Sequence, residues 1–314
     1  MVTSVVKVPI PEKTLEERYA EMTDREHILH RPDTQLGSTV PDVQDTAVLL
    51  ENQLEEHEEE EEEFGADELE EKIQDEKMDV EMVGTTNAAK KEKKPKLLPV
   101  CVRFRLPTYA PALAQIFDEV LMNAEDAHQR TLPESQERNQ TSYVPTTKLK
   151  VDIDEKEGKI TVWNNGQGIP IEMHIKAQVY GPEFVLGRCK VSENYDDGIQ
   201  RSVGGRNGYG AKLTNIFSSE FTIETQSSKN RKHYLQTWKN NMADVSKPII
   251  TTVGKKHECK DFTKITFRPD FKRFSSPTRT CTGFDADLVS VLKRRVYEAA
   301  ATNSQLGVWL NGQP

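Results

Sequence analysis

Three clusters in the 314-residue chain combine residue types that can do chemistry. The first is Glu119 and Asn123, within the stretch from Pro111 to Arg130. Leu113, Ile116, Phe117, Val120, Leu121 and Ala124 recur there at helical spacing. The polar pair therefore shares one helix face beside the apolar stripe. A carboxylate so placed can polarise a water for attack on a phosphate. An amide oxygen one turn later can hold a Mg2+ that bridges phosphates. Taken alone, Glu-x-x-x-Asn equally fits two polar residues facing solvent. The second cluster is Asn164-Asn165-Gly166-Gln167-Gly168-Ile169-Pro170. A polar side chain at the end of a strand can reach the exocyclic amine and ring nitrogen of adenine, and Gly166 and Gly168 let backbone approach the base. The same residues also fit an ordinary Asn-Gly turn. The third runs from Val203 to Lys212, with Gly204, Gly205, Gly208 and Gly210 followed at once by a helical run. Backbone N–H groups and a helix N-terminus can then meet phosphates, with Arg206 and Lys212 adding charge. The spacing is neither a Walker loop nor G-x-G-x-x-G, and a flexible surface loop has the same composition.

The elements that must position these groups are legible around them. Lys148 to Ile153 and Lys159 to Trp163 alternate like strands, with a hairpin turn from Asp154 to Gly158. A loop-rich stretch leads from Pro170 to the glycine cluster, and Ala211 to Phe217 reads as a short helix. Strands follow near Phe221 to Thr225, His233 to Trp238 and Phe262 to Phe267. Phe284 to Ala301 is an amphipathic helix, and Gly307 to Leu310 starts a strand. Hairpin-joined strands mixed with helices predict an α+β fold: a two-layer sandwich, with helices on one face of a mixed, mostly antiparallel sheet.

The net charge of −9 is unevenly spread. Glu51 to Glu81 holds seventeen acidic residues and two lysines, which leaves the rest of the chain mildly basic. Residues 41–97 read as an acidic low-complexity insertion, too poor in apolar residues to build a core and expected to be disordered. An acidic surface that mimics nucleic acid or binds basic partners is the functional alternative. Ahead of it, residues 1–40 read as an arm with a short helix around Thr14 to Leu29, broken at Arg31-Pro32-Asp33-Thr34. Cys101, Cys189, Cys259 and Cys281 lack CxxC spacing and the histidines are scattered, so neither a disulfide framework nor a zinc site is expected. No secretory signal or membrane-length apolar stretch is visible, and the chain is expected to be soluble and intracellular.

Helix with Glu-x-x-x-Asn, strand ending in N-x-G-x-G, then a glycine loop opening a helix is the order found in the ATPase fold shared by gyrase, MutL, heat-shock chaperones and histidine kinases. FDEVLMNAEDAHQR, ITVWNNGQGIP, SENYDD, GGRNGYGAKLTNIFS, QTWKNNM and LKRRVYEAA, together with the arm LEERYAEMTDREHILHRPDTQLGST, resemble the ATPase domain of eukaryotic type II DNA topoisomerases. The resemblance covers roughly residues 12–40 and 100–314. It implies the GHKL (Bergerat) ATP-binding fold over residues 98–303, with ATP and Mg2+ as cofactors. It makes Glu119 the general base and Asn123 the Mg2+ ligand, and it sets Asn164, with Gly166 and Gly168, at adenine. Ser192 and Asn194 match positions that touch ribose and phosphate. Arg206, Asn207, Gly208, Tyr209, Gly210 and Lys212 match a phosphate-covering loop. It further implies a nuclear protein with no membrane partner, a homodimer on ATP binding, and DNA as partner of the full-length enzyme.

Glu193, Ala127 and Gln35 depart from the pattern, where Ser, Asn and Tyr are usual. A carboxylate at 193 can accept from ribose hydroxyls but repels phosphate, and Gln35 is expected to weaken ATP-driven dimerisation. Residues 304–314 resemble the first strand of the following transducer domain, whose lysine reaches the γ-phosphate. On that reading the chain is part of a longer product that also carries the DNA-cleavage domain. The alternatives are a non-hydrolysing ATP-binding switch of the same fold and an acidic interaction protein.

Overall fold

The computed structural model describes residues 19, 21–51, 100–132, 144–191, 209–254 and 260–314. In chain order the strands are β1 (Asp42–Val43), β2 (Thr46–Glu51), β3 (Val100–Arg105), β4 (Thr108–Tyr109), β5 (Lys148–Asp154), β6 (Lys159–Asn164), β7 (Met173–His174), β8 (Val179–Tyr180), β9 (Ser218–Ser227), β10 (Lys232–Lys239), β11 (Asp244–Val245), β12 (Ile249–Thr252), β13 (Phe262–Pro269) and β14 (Gly307–Leu310). The α-helices are α1 (Asp24–His30), α2 (Pro111–Gln129), α3 (Gly181–Gly187), α4 (Gly210–Ile216) and α5 (Ala286–Thr302).

An eight-stranded sheet runs in the order β11-β10-β9-β13-β6-β5-β14, with β12 also paired to β10. All its pairings are antiparallel except β14 on β5. Alternation decides which face is buried. Val151, Val162, Ile265, Ile223 and Gln236 form one rung across five strands, and all five are buried. The intervening residues of β5, Lys148, Lys150 and Asp152, are exposed. The α+β, mostly antiparallel architecture read from the sequence is the one found.

Helix α2 begins with Pro111 at its first turn, where a missing N–H costs nothing. It buries Leu113, Ile116, Phe117, Val120, Leu121 and Ala124. Helix α5 is capped by Asp285, whose carboxylate accepts from Leu288 N at 2.8 Å. Among the described residues of the arm, helix starts only at Asp24, whereas the sequence suggests Thr14. Thr23 and Glu26 close a capping box there, with Thr23 N donating to Glu26 Oε2 at 2.9 Å. Tyr19 and Glu21–Thr23 are not helical.

The structure adds three features to the sequence reading. Strands β1 and β2 occupy the beginning of the 41–97 insertion, where β1 pairs with β4 and β2 with β3. The rest of that segment lies outside the described residues. The stretch after Pro170 contains a β7–β8 ribbon and α3, elements too short for periodicity to reveal. Strand β14, in the 304–314 stretch that resembles the opening of a following domain, lies at the edge of this sheet, with Trp309 opposite Lys150. The chain divides into two compact units, Met1–Leu49 with Arg103–Pro314 and, separately, Leu50–Val102; the sheet belongs to the first.

Because Phe117 is fully buried on α2 whereas Met122 is 42% exposed, truncation should separate them. Phe117→Ala is expected to cost about 3–5 kcal/mol in urea unfolding, and Met122→Ala is expected to change stability little.

Candidate functional site

Helix α2 carries Glu119 and Asn123 on the side that meets α4. Gln115, one turn earlier, donates from Nε2 to Glu119 Oε1 at 2.9 Å, which fixes the carboxylate and leaves Oε2 turned elsewhere. A Cβ placed on Gly210 would stand 2.6 Å from that Oε2 and 3.8 Å from Asn123 Nδ2. The first residue of α4 therefore lies directly against both polar groups, and a side chain there would displace the Glu119 carboxylate. Asn123 donates from Nδ2 to Glu119 O at 2.6 Å, so its Oδ1 has no partner among the described residues. That is the kind of oxygen Mg2+ takes, and a Mg2+ that also binds phosphates and water needs only one or two protein oxygens. No group of three or more metal-ligating His, Cys, Asp or Glu side chains occurs among the described residues.

The adjacent carboxylate behaves differently. Asp118 faces α5, with Arg295 Nε 3.3 Å from its Oδ2, and burial pushes its carboxyl up to about 6. Of the two neighbours, Glu119 is the one presented to the glycine segment.

Asn164 ends β6, is only 6% exposed, and accepts at Oδ1 from Gly166 N at 3.2 Å. Asn165 accepts at Oδ1 from Thr147 N and Lys148 N at 2.9 and 2.8 Å, tying the turn to the start of β5. Both glycines of this turn are closely packed. A Cβ on Gly166 would come 1.8 Å from Thr146 Oγ1, and one on Gly168 would come 2.2 Å from Gln226 O. Their close approach is to the protein's own chain. Thr146 also joins the turn to α2: its hydroxyl donates to Ala127 O at 3.2 Å, and its carbonyl meets His128 Nδ1 at 2.6 Å. Thr225 Oγ1 accepts from Ile169 N at 3.2 Å and donates to Phe262 O at 2.8 Å, pinning the far side of the turn.

Lys212 occupies the third position of α4, yet it is only 5% exposed. Its ammonium donates to Val191 O at 2.6 Å. Burial lowers its pKa to about 8. In this structure it holds the residue just before the 192–208 segment, rather than facing open solvent beside the helix start. Thr214 anchors α4 to α2 by donating to Ile116 O at 2.7 Å, and Asn215 ties it to α3 through Leu186 O at 3.2 Å.

The structure thus brings Glu119, Asn123 and Gly210 together, with Tyr209 and Lys212 on either side of that glycine. It links the Asn164, Gly166 and Gly168 turn to the same helix through Thr146. Ser192, Glu193, Asn194, Arg206, Asn207 and Gly208 lie outside the described residues. Gln115 could have been found by asking which side chain sits four residues before Glu119. Thr146 and Thr225 are remote in sequence and gave no local signal.

Comparison with known proteins places this geometry among relatives. Residues 108–242 match the family described as histidine kinase-, DNA gyrase B- and HSP90-like ATPase. The chain is similar to DNA topoisomerase 2 of Penicillium chrysogenum, 37% identical over 94% of this chain and 14% of that protein. It is also similar to the mitochondrial DNA topoisomerase 2 of Dictyostelium discoideum, 37% identical over 97% of this chain and 22% of that protein. The crystal structure of the ATPase and transducer domains of DNA topoisomerase II from Balamuthia mandrillaris superposes with a TM-score of 0.71 at 34% identity, over 96% of this chain and 62% of that one. The chain therefore spans under a quarter of the length of these curated relatives.

Two measurements follow from the packing. Gly168→Ala forces a Cβ onto backbone, whereas a Cβ on Gly283 meets nothing within 4 Å. The first is expected to cost about 1–3 kcal/mol and Gly283→Ala close to nothing in thermal unfolding. For Lys212, the folded pKa of about 8 lies below the ordinary lysine value of 10.5, so between those values the unfolded chain binds more protons. Stability relative to Lys212→Met is expected to rise as pH goes from about 8 towards 10. A difference that stays flat across that window contradicts the buried-ammonium reading.

Proposed function

Since residues 108–242 belong to the histidine kinase-, DNA gyrase B- and HSP90-like ATPase family, we propose that the chain binds Mg2+–ATP and hydrolyses it as the ATP gate of a type II DNA topoisomerase. The observation that carries this reading is the packing of Gly210 against Glu119 and Asn123, because it joins the proposed base, the proposed metal ligand and the glycine segment at one place. On this reading Glu119 Oε2 takes a proton from the attacking water while Gln115 holds the other oxygen. Asn123 Oδ1 supplies the protein ligand to Mg2+. Asn164 reads adenine at the Gly166 and Gly168 turn. Tyr209, Gly210 and Lys212, with Arg206, Asn207 and Gly208, surround the phosphates, and Ser192 and Asn194 touch ribose and phosphate. Mg2+ would neutralise phosphate charge, and the protein's share is largely positioning.

Lys212 then needs a second arrangement. Its ammonium is now committed to Val191 O, and reaching a phosphate means leaving that carbonyl. A buried ammonium with a lowered pKa gains from an anionic partner. The relatives' names support DNA as substrate of the whole enzyme, and nucleotide-driven homodimerisation and a nuclear location are proposed from the family resemblance; the Dictyostelium relative is named mitochondrial.

Calorimetric titration with Mg2+–ATP tests binding; absence of binding sinks the assignment. Glu119→Gln is expected to retain affinity while single-turnover hydrolysis falls by about a hundredfold or more. An unchanged rate would remove Glu119 from its role.

A further inference from the structure

The open face of the sheet carries a row of side chains that nucleotide chemistry does not use. Register sets Trp309 of β14 opposite Lys150 of β5, Lys150 opposite Trp163 of β6, Trp163 opposite Lys264 of β13, and Lys264 opposite Glu224 of β9. One rung across five strands thus reads Trp, Lys, Trp, Lys, Glu. With strands about 4.8 Å apart, the two tryptophans stand roughly 10 Å from each other. Both are half-buried, while Lys148 and Lys150 are exposed. Alternation puts Trp163 on the opposite face from the buried Asn164.

Three details of the rung point to a ligand. Lys150 Nζ lies 5.1 Å from the Trp163 ring centroid and Lys148 Nζ lies 6.0 Å from that of Trp309, so cations flank both rings. A Cβ on Gly307 would meet ring atoms of Trp309 at 2.8 and 2.9 Å, so the indole folds back along the strand into the space that glycine leaves. Lys148 and Lys150 form no ion pair among the described residues, whereas Lys264 shares Glu224 with His233. At the far end the rings of His233 and Phe262 are 6.0 Å apart.

Aromatic side chains on this sheet face, flanked by cations without an ion pair among the described residues, suit a polymer that alternates flat rings with negative charge. Unpaired nucleobases stack on aromatic side chains whatever their identity, and the phosphates between them take the lysines. A duplex keeps its base faces stacked inside and could use the lysines alone. An acidic peptide would leave the tryptophans unused. We propose that Trp309, Trp163, Lys148 and Lys150 form a binding surface for single-stranded nucleic acid, distinct from the Glu119 and Asn123 face and independent of the nucleotide reading.

The test is a titration of the full chain with an oligothymidylate of about twelve nucleotides, within the span such surfaces cover, following tryptophan fluorescence and anisotropy at low salt. Saturable binding with quenching is expected, since Trp238 is buried and Trp163 and Trp309 are the two reachable indoles. Trp309→Leu is expected to weaken binding between about fivefold and a hundredfold, and Trp309→Phe to retain most of it. The exposed pair Lys148→Gln and Lys150→Gln should lower the salt slope by about 1.4, at roughly 0.7 for each phosphate contact on a single strand. That pair keeps the proposal testable if a tryptophan variant fails to fold. Unaltered Mg2+–ATP affinity in these variants separates this surface from the nucleotide site. No binding by the parent chain overturns the proposal. So does equal binding by parent, Trp309→Leu and the lysine pair, or a duplex bound more tightly than the single strand.

Discussion

Everything proposed for the site depends on how closely two helices approach at one point. Gly210 opens α4 with its Cα so near Glu119 Oε2 that a methyl group there would stand 2.6 Å away. The approach is held from behind by buried contacts. Thr214 donates to the Ile116 carbonyl, and Ala211, Leu213 and Ile216 are buried with Ile116, Phe117 and Val120 of α2. Burial of that size, on the order of 2 kcal/mol for each large side chain, makes the contact a property of the core. A glycine chosen only for loop freedom would have no reason to lie against a carboxylate.

The same helix supports the second half of the site. Thr146 reaches from the Gly166 turn to Ala127 O, one helical turn beyond Asn123. Glu119, Asn123 and the Asn164 turn are therefore referenced to one rigid element, as positioning catalysis requires. The departure at Ala127 acquires a structural sense here. Its side chain offers no polar contact, yet its carbonyl fixes the residue against which Gly166 packs.

Much of this was legible in the chain itself. Apolar spacing gave α2 and α5 to within a residue or two, and strict alternation gave β5, β6, β9, β10 and β13. Glu119 and Asn123 could be assigned to one face from spacing alone. What could not be read were relations that exist only after folding. The glycines of the Asn164 turn look like room for a base, yet Thr146 and Gln226 occupy the space a side chain would need. Lys212 reads as charge for phosphates at a helix start, and a seven-residue helix is too short for its amphipathic period to show that this lysine is buried. The parallel pairing of β14 with β5 leaves no local trace in sequence.

The most direct test of the central contact is single-turnover ATP hydrolysis by Gly210→Ala, measured alongside its unfolding free energy. A displaced Glu119 carboxylate should slow the chemical step by about a hundredfold while global stability changes far less, because the added methyl meets the end of a side chain rather than backbone. Parent-like turnover by a folded Gly210→Ala chain would contradict the account.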